Sequence, residues 1–431
     1  MDQYASYTST GIEWLGDIPI DWTCANLGSV AKQRKNLNKD GIVDNVLSLS
    51  YGNVRQRVMD NSGLLPESFN TYNIIEDGDV VLRLTDLQND QRSLRVGLCH
   101  EKGIITAAYT TLAPQSIESR YLFYALAVFD YWKGFYGLAG GVRQSLTFDG
   151  IRNLRFPLPS KYEQQAIADY LDGKTAEIDA LVADSEQEIA LLQEYRKAVI
   201  SEVVTKGLDP NVPMKDSGVE WIGEIPESWQ VSRISWLGLC LNGDRGVNYP
   251  SGEDMLNEGI PFVATDALHG DEIDPTRCKY ISLERYNLLG GVKLKLDDIA
   301  YCLRGSVGTC AVNTFASEGT VASSLMVIRP KSCNAKWLYY ALVSELTSRQ
   351  VDSFMNGTCA ANLSAEGVSR FRIPLPSVEG QNVIAAYLDA KTAEIDFLIE
   401  AKQQMADKLR EYRKSLISEV VTGKFKVPGV Q

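Results

Sequence analysis

Two long segments of the chain carry apolar residues at the spacing of a single helical face. Residues 161–206 contain no proline, and Gly173 is their only glycine. Apolar residues recur there at steps of three, four and seven, which is typical of a coiled-coil seam. Gly207 and Pro210 follow and end the pattern. The pattern predicts one helix of about 43 residues that spans roughly 65 Å.

The second segment repeats the first one nearly motif for motif. Glu194 to Lys197 reappears as Glu411 to Lys414, and Ser201 to Thr205 reappears as Ser418 to Thr422. The predicted seam residues are Leu171, Ile178, Leu192 and Val199 in the first helix, and Leu388, Ile395, Leu409 and Leu416 in the second. Ser185 and Lys402 interrupt the two seams at the same place. Two such helices in one chain predict an intramolecular antiparallel coiled coil, with separate helical hairpins or an intermolecular coil as the alternatives.

Two further blocks are duplicated around these helices. Gly11 to Trp22 returns as Gly218 to Trp229, and the Pro-Leu-Pro-Ser run at 157–160 returns at 374–377. After the second helix the chain stops where the first continues into its next block, and the missing block stands at the N-terminus. Each half is therefore a circular permutation of one unit, and we expect pseudo-two-fold symmetry.

The segments between the duplicated blocks diverge, and they show short strand and helix signals separated by turns. The matching aromatic helices at 121–126 and 337–342 are predicted to lie in the core. We therefore predict an α+β protein with two globular mixed α/β domains joined by two long helices in an antiparallel coiled coil. The predicted boundaries are 1–156 for the first domain, 157–207 for the first helix, 208–373 for the second domain with a linker at 208–217, and 374–431 for the second helix and tail.

Composition and charge limit the classes of function. The chain has a formal net charge of −12, but most of the excess acid lies in the duplicated frame of the first half. The divergent segments are nearly neutral, so they cannot bind a DNA duplex tightly by charge alone, and a basic partner is implied if DNA is the target. No apolar run reaches the ~18 residues of a membrane span, and no leader pattern opens the chain, so we expect a cytoplasmic protein without membrane contact.

Neither the cysteines nor a known catalytic motif indicates that this chain catalyses a reaction. Eight cysteines are scattered without a Cys-x-x-Cys pair, and only two histidines are present, so neither a disulfide nor a metal site is expected. No phosphate-binding loop, dinucleotide fingerprint or Asp/Asn-Pro-Pro-aromatic motif occurs. Paired carboxylates such as Asp297 and Asp298 are interpreted as a turn before a strand. We predict no catalytic residue.

Polar side chains in the divergent segments are candidates for contact with DNA bases. The polar run at 88–95 and the loops at 140–146 and 357–363 combine donors, acceptors and glycines that permit close backbone approach. Ordinary solvated loops are the alternative for each. The candidates are Gln88, Asn89, Gln91, Arg92, Arg95, Gly141, Arg143 and Gln144 in the first domain, and Arg304, Ser306, Ser323, Thr358 and Asn362 in the second.

The duplicated motifs together resemble the specificity subunit of type I restriction–modification systems. They are the Ile-Pro-x-x-Trp segments ending at Trp22 and Trp229, the two Pro-Leu-Pro-Ser runs, the Glu-Gln-Gln-Ala-Ile segment at 163–167, and the long helices with Glu-Tyr-Arg-Lys. The second copy departs from this pattern at 380–384, where Gly-Gln-Asn-Val-Ile stands instead, and only the local helix cap is affected.

The resemblance implies a noncatalytic subunit of an adenine methyltransferase/endonuclease complex. Each divergent domain is then a target-recognition domain for one half of a bipartite site in double-stranded DNA, and the coiled coil fixes the spacer. Two modification subunits and the restriction subunits are the implied partners. S-adenosylmethionine and ATP with Mg²⁺ are expected in those partners, with no cofactor on this chain. A coiled-coil scaffold that binds only proteins, or an enzyme in its own right, are the competing hypotheses.

Overall fold

The chain forms two compact units, each of which contains parts of both long helices. The computed structural model describes residues 3–57, 68–88, 94–138, 145–355 and 363–430. One unit comprises Met1–Glu186 and Gln404–Gln431, and the other comprises Gln187–Gln403. Because the division falls within both long helices, each globular segment is compact together with a portion of the two helices.

Helices and strands alternate in both units, which confirms the predicted mixture of helix and sheet. The globular segment of the first unit contains β1 (Tyr7–Ser9), β2 (Asp17–Pro19), β3 (Thr23–Asn26), α1 (Leu27–Val30), β4 (Ala31–Gln33), β5 (Leu47–Ser50), β6 (Asn53–Gln56), β7 (Asn73–Ile75), β8 (Val80–Leu82), β9 (Val96–Leu98), β10 (Gly103–Ile105), β11 (Thr110–Pro114), α2 (Ser119–Tyr131), α3 (Gly134–Leu138), α4 (Phe148–Ile151) and β12 (Arg155–Leu158). The long helix α5 (Lys161–Lys206) follows.

The second unit contains a nearly matching series of elements. They are β13 (Met214–Asp216), β14 (Glu224–Pro226), β15 (Gln230–Arg233), α6 (Ile234–Leu237), β16 (Gly238–Asn242), β17 (Ile260–Val263), β18 (Leu268–His269), β19 (Glu272–Ile273), β20 (Lys279–Ile281), α7 (Leu283–Leu288), β21 (Ile299–Cys302), β22 (Cys310–Val312), β23 (Thr320–Val321), β24 (Leu325–Pro330), α8 (Ala335–Val343), α9 (Glu345–Met355), α10 (Ala365–Ser369) and β25 (Arg372–Leu375). The second long helix, α11 (Val378–Val421), comes next, and short 3₁₀ turns occur at Gly252–Asp254, Thr265–Ala267 and Pro275–Arg277.

A six-stranded sheet with the same strand order forms the centre of each unit. The order is β4-β11-β8-β9-β6-β5 in the first unit and β16-β24-β21-β22-β19-β18 in the second. The pairs are antiparallel except β6 with β9 and β19 with β22, which are parallel in both sheets. The two units have little sequence in common between the duplicated blocks, yet their central sheets share one strand order, including the position of the parallel pair.

An aromatic helix covers each central sheet and supplies much of the core. In α2, Tyr121 and Leu126 are fully buried, and in α8, Trp337 and Tyr340 are fully buried. Burial of large apolar side chains is the main favourable contribution to such a fold. The prediction that these aromatic residues belong to the core is confirmed.

Short strands frame each globular segment and join it to its long helix. β12 pairs with β3, with Phe156 opposite Ala25, and β25 pairs with β15, with Ile373 opposite Ser232. The predicted boundaries at 156/157 and 373/374 therefore fall inside strands. The helices themselves begin four residues later, at Lys161 and Val378.

The two duplicated hairpins pack beside equivalent helix ends. In the second unit, Gly207 follows α5 with a φ of +78° and lies against the indole of Trp229. In the first unit, Gly423 follows α11 with a φ of +71° and lies against Pro19 and Trp22. Positive φ favours glycine at the end of a helix. The N-terminal hairpin thus packs beside the end of the last helix, as the circularly permuted order of blocks predicts.

Within each unit the portions of α5 and α11 run antiparallel. In the first unit, Asp179 pairs with Arg413 at 2.8 Å and Glu186 pairs with Arg410. In the second unit, Glu188 pairs with Lys402 and Arg196 pairs with Asp396 at 2.9 Å. As the residue number rises along α5, that of its partner on α11 falls.

The predicted seam residues differ in burial along the helices. The buried ones are Leu171, Ile178, Val199, Leu388, Ile395 and Leu416, whereas Leu192 and Leu409 are half-buried. Ser185, one of the two interruptions, is buried and donates its hydroxyl to the carbonyl of Leu181 at 2.8 Å. The apolar face is therefore best covered near the globular segments, where the sheets and hairpins add to the packing.

Candidate nucleic-acid interface

At one end of the central sheet in each unit, two loops far apart in sequence lie side by side. In the first unit the N–H of Leu146, before α4, donates to the carbonyl of Leu84, after β8, at 2.8 Å. In the second unit the N–H of Leu363, before α10, donates to the carbonyl of Leu303, after β21, at 2.9 Å. In both units, the segment that follows the buried strand therefore contacts the end of the small-residue loop. The sequence predicts these two segments separately.

Most of the predicted base-contacting residues cannot be placed in this arrangement. Asn89, Gln91, Arg92, Gly141, Arg143, Gln144, Thr358 and Asn362 lie outside the described residues, and their role stays a prediction. Gln88 is described and exposed, directly after the fully buried Leu87. The described part of the loop thus has an apolar anchor followed by a solvent-facing polar side chain.

Arg95 is a correction to the prediction, because it has no surface available for DNA. Its side chain is fully buried. The guanidinium donates to the carbonyl oxygens of Arg83 at 3.1 Å, Thr85 at 2.9 Å and Asp86 at 3.2 Å. Its Nε–H donates to the hydroxyl of Tyr136 at 3.0 Å.

The buried guanidinium of Arg95 instead organises the start of the polar loop. The loop backbone has left the sheet, so its carbonyl groups need other donors, and a guanidinium supplies several in a fixed fork. Asp130 accepts a 2.8 Å hydrogen bond from the backbone N–H of Arg95 and thereby fixes the backbone of this residue. The available signal was the position of Arg95 immediately before the apolar strand β9, where a buried residue is expected.

In the second unit, the predicted residues lie around the hairpin between β21 and β22. Arg304 and Ser306 are exposed on it, and Gly305 and Gly308 allow the turn with φ values of +80° and +91°. Ser323 is half-buried, and its carbonyl accepts a 3.3 Å hydrogen bond from the guanidinium of Arg245. Sequence reasoning missed Arg245, whose Asp-Arg-Gly setting after a strand indicates only a turn.

In each unit, a buried aspartate next to the start of a central strand, β8 or β21, accepts hydrogen bonds from an arginine elsewhere in the unit. Asp79 accepts from Arg34 at 2.8 Å, and Asp298 accepts from Arg329 at 2.7 Å. Burial raises the pKa of Asp79, and the hydrogen bond from Arg34 opposes that rise. Asp298 is the residue that the sequence assigns to a turn before a strand, and this structural role is confirmed.

A hydrogen-bonded cluster, present in both units, connects the aromatic helix to the long helix. The Tyr124 hydroxyl lies 2.7 Å from the carboxylate of Asp172 and 3.3 Å from the hydroxyl of Thr175. Tyr340, Asp389 and Thr392 repeat this arrangement at 2.7 and 3.2 Å, as the corresponding residues of the second unit. Burial raises the pKa of both tyrosines, so they remain hydrogen-bond donors at neutral pH.

A buried glutamine at the start of each long helix provides a second equivalent link. The side-chain oxygen of Gln164 accepts from the N–H of Glu118 at 2.9 Å, and that of Gln381 accepts from the N–H of Asn334 at 2.8 Å. The motif that departs in the second copy therefore keeps its central glutamine contact. Only the first copy adds the capping glutamate, since Glu163 accepts from the N–H of Ser160 at 3.2 Å.

The described residues contain few other features that indicate chemistry. Among them, no helix is long and apolar enough to cross a membrane, and no cluster of three potential metal ligands occurs. The seven described cysteines are free thiols, and Cys359 lies outside the described residues. Burial raises the pKa of Cys99 and of Cys240 to about 11, so both thiols are protonated at neutral pH.

Comparison with known proteins identifies the family. The type I restriction modification DNA specificity domain matches residues 99–191 and 226–406, which together make up more than half of the chain. The chain belongs to this family. It is a specificity subunit of a type I restriction–modification system, a noncatalytic component concerned with recognition of the DNA target.

Relatives and solved structures match between about two thirds and nearly the whole of the chain. The type I restriction enzyme MjaVIII specificity subunit of Methanocaldococcus jannaschii is 22% identical over 95% of this chain and 94% of its own. The EcoBI specificity subunit of Escherichia coli is 22% identical over 63% of this chain and 59% of its own. A chain from a solved structure of the type I R-M system has a TM-score of 0.68 at 16% identity, covering 95% of this chain and 99% of that one. The HsdS subunit from Thermoanaerobacter tengcongensis has a TM-score of 0.50 at 16% identity, covering 95% and 98%.

Proposed function

We propose that this specificity subunit reads a bipartite site in double-stranded DNA, with one half-site for each unit. The proposal rests on one observation. The central sheets of the two units have the same strand order, but different side chains follow the equivalent strands β8 and β21. The loop after β8 has Gln88, whereas the hairpin after β21 has Arg304 and Ser306. Hydrogen-bonding side chains on a common frame are suited to reading different base edges.

We propose further that α5 and α11 form an intramolecular antiparallel coiled coil that fixes the spacer between the half-sites. The helices contain 46 and 44 residues, so each would span roughly 65–70 Å at the rise of an α-helix. The antiparallel ion pairs within each unit support this pairing, as does the heptad spacing of the seam. A pseudo-two-fold arrangement of the units follows from the proposal.

The same helices have exposed apolar side chains suited to binding partner subunits. In the second unit Tyr195 is half exposed beside the ammonium of Lys391, and Phe397 is 70% exposed. In the first unit, Tyr412 is exposed on α11 as the counterpart of Tyr195. We propose that two modification subunits dock on these equivalent surfaces and that restriction subunits join them. S-adenosylmethionine and ATP with Mg²⁺ would then be bound by those partners.

The decisive experiment reconstitutes the chain with its modification subunits and sequences the methylated DNA. A bipartite motif with an unread spacer of fixed length is expected. Replacing residues 230–373 with the matching segment of another specificity subunit should change one half of the motif only. Absent or sequence-independent DNA binding by the assembled complex would instead favour the scaffold that binds only proteins.

A further inference from the structure

A groove in the second unit brings together two arginines from different loops. Arg245 follows β16, and Arg304 follows β21. Both strands end at the same edge of the central sheet, on either side of β24. Both line a groove with Asn242, Leu363 and Ser364. The groove lies where the chain entering α10 is hydrogen-bonded to the start of the β21–β22 hairpin.

The backbone that carries Arg245 is held tightly in place. The carboxylate of Asp244 accepts a 2.6 Å hydrogen bond from the N–H of Gly290 and another from the N–H of Gly246. Gly291 packs so closely that an added Cβ would lie 2.3 Å from the Asp244 nitrogen. A Cβ on Gly243 would lie 2.7 Å from the carbonyl oxygen of Ala322. Arg245 therefore projects from a preorganised turn, and little loop entropy is lost on binding.

Within the described part of the chain, no carboxylate pairs with the guanidinium of Arg245 or of Arg304, although Arg245 donates one hydrogen bond to the carbonyl of Ser323. Six other arginines of this unit pair with carboxylates, namely Arg196, Arg277, Arg285, Arg329, Arg349 and Arg370. Among the described residues, Arg245 and Arg304 form no ion pair, and both are exposed. Glu366 also lines the groove, but it pairs with Arg370. Two guanidinium groups that no described carboxylate neutralises therefore line one groove.

An apolar side chain stands at the tip of the same turn. Val247 is fully exposed, two residues after Arg245. An isolated, fully exposed valine contributes nothing to the folded core, whereas its methyl groups suit contact with the methyl group of thymine. A guanidinium beside an apolar tip provides the two kinds of group that read base edges in the major groove.

From these observations we propose that Arg245 is a specificity-determining residue of the second unit, which donates to a guanine in one half-site, with Arg304 as its companion in the groove. The inference rests on the proposed function, because it assigns a base contact within one recognition unit. It differs from the sequence prediction, which gives no role to the turn after β16 and names in this unit Arg304, Ser306, Ser323, Thr358 and Asn362.

The test uses the full complex of this chain with its modification subunits and methylome sequencing. Arg245→Lys keeps the positive charge but loses the bidentate fork, so preference for guanine at one position should fall on the order of 10- to 100-fold. The other half-site should remain as in the unmodified protein. Arg245→Ala and Arg304→Ala, alone and combined, extend the series, and Arg349→Ala is the matched control because its charge is already paired with Glu345.

Each outcome decides the inference. Relaxed preference at one position of one half-site supports it. An unchanged motif in the double Arg245→Ala, Arg304→Ala variant overturns it. DNA binding that weakens equally for all sequences would instead assign phosphate contacts to the arginines, and it would also overturn the reading role. In that case the slope of the logarithm of the binding constant against the logarithm of the salt concentration should be reduced by about one. If the unmodified complex itself has no sequence-specific motif, the proposed function fails instead.

Discussion

The hydroxyl of Tyr124 donates a 2.7 Å hydrogen bond to the carboxylate of Asp172 and thereby joins α2 to the long helix of the first unit. Tyr340 and Asp389 form the same contact at 2.7 Å in the second unit. The contact connects the helix that covers the sheet, α2 or α8, to the long helix α5 or α11. Its repetition indicates that each globular segment is held to its helix by directional bonds in addition to apolar packing.

Tyr124→Phe should lower the free energy of unfolding of the first unit by about 1–2 kcal/mol, because a buried hydrogen bond to a carboxylate is lost. Arg120 also holds Asp172, at 2.6 Å, so the carboxylate keeps one partner and the fold persists. Chemical denaturation of the full chain measures the change. Tyr51→Phe, at a side chain that is 70% exposed, is the control and should change stability by less than about 0.5 kcal/mol. Equal effects of the two substitutions would contradict the role assigned to the contact.

Arg95→Lys tests the correction made to the predicted interface. A lysine cannot replace the guanidinium fork that binds the carbonyls of Arg83, Thr85 and Asp86, and we expect a loss of about 2–4 kcal/mol in stability. Hydrogen exchange should increase around β8 and β9 at the same time. Gln88→Ala, at the exposed side of the same loop, should leave stability within about 0.5 kcal/mol. A stable Arg95→Lys protein with one altered base preference would restore Arg95 as a reader.

Much of the frame could be predicted because its signals are local and repeated. Heptad spacing, a terminal glycine and a following proline predict the first long helix to within a few residues of Lys161–Lys206. The aromatic residues near Tyr121 and Trp337 were placed correctly in the core, since helical periodicity reports burial directly.

The interface was harder to predict because it depends on which loops meet. Arg95 and Arg245 both stand in polar, turn-rich sequence, yet one is buried and the other exposed. The difference arises from the register of the sheet and from Asp130 and Tyr136, which approach Arg95 from α2 and α3. Long-range packing of this kind leaves no periodic signal in the sequence.

Phe425→Ala tests the packing of the C-terminal tail on the first unit. The Phe425 side chain is buried, with its ring centroid 5.6 Å from that of Tyr170. Removing it should cost about 3–5 kcal/mol, the usual range for a buried phenylalanine. Phe397→Ala is the matched control, because Phe397 is 70% exposed on α11, and its effect on the isolated chain should stay below about 0.5 kcal/mol. Similar stability of the two variants would contradict the packing of the tail.

The Asp244 turn should make the stability of the second unit sensitive to acid. Hydrogen bonds from backbone N–H groups, that of Gly246 first, lower the pKa of Asp244 in the folded protein. A lowered carboxyl pKa stabilises the fold above the unfolded value of about 3.9, and this stabilisation is lost as the pH falls through the folded value. Asp244→Asn should therefore reduce stability at pH 7, and this reduction should shrink as the pH falls below the unfolded carboxyl pKa. Denaturation curves across pH 2–7 measure the difference, and a pH-independent difference would contradict the assignment.

The spacing proposal is tested by shortening both long helices together. Deleting residues 187–193 from α5 and 399–405 from α11 removes one heptad from each helix, at positions near the Glu188–Lys402 ion pair. A heptad is close to two full turns, so the apolar seam stays in register within about 20°. Each helix shortens by about 10 Å, which corresponds to about three base pairs of duplex. Deleting only residues 187–193 is the control, because it leaves one helix longer than its partner.

Methylome sequencing of a strain that carries the doubly shortened subunit with its modification subunits is the most direct measurement. Both half-sites are expected to keep their sequences, while the spacer between them becomes about three base pairs shorter. An unchanged spacer in a complex that still methylates would contradict the claim that the two helices set the distance between two readers.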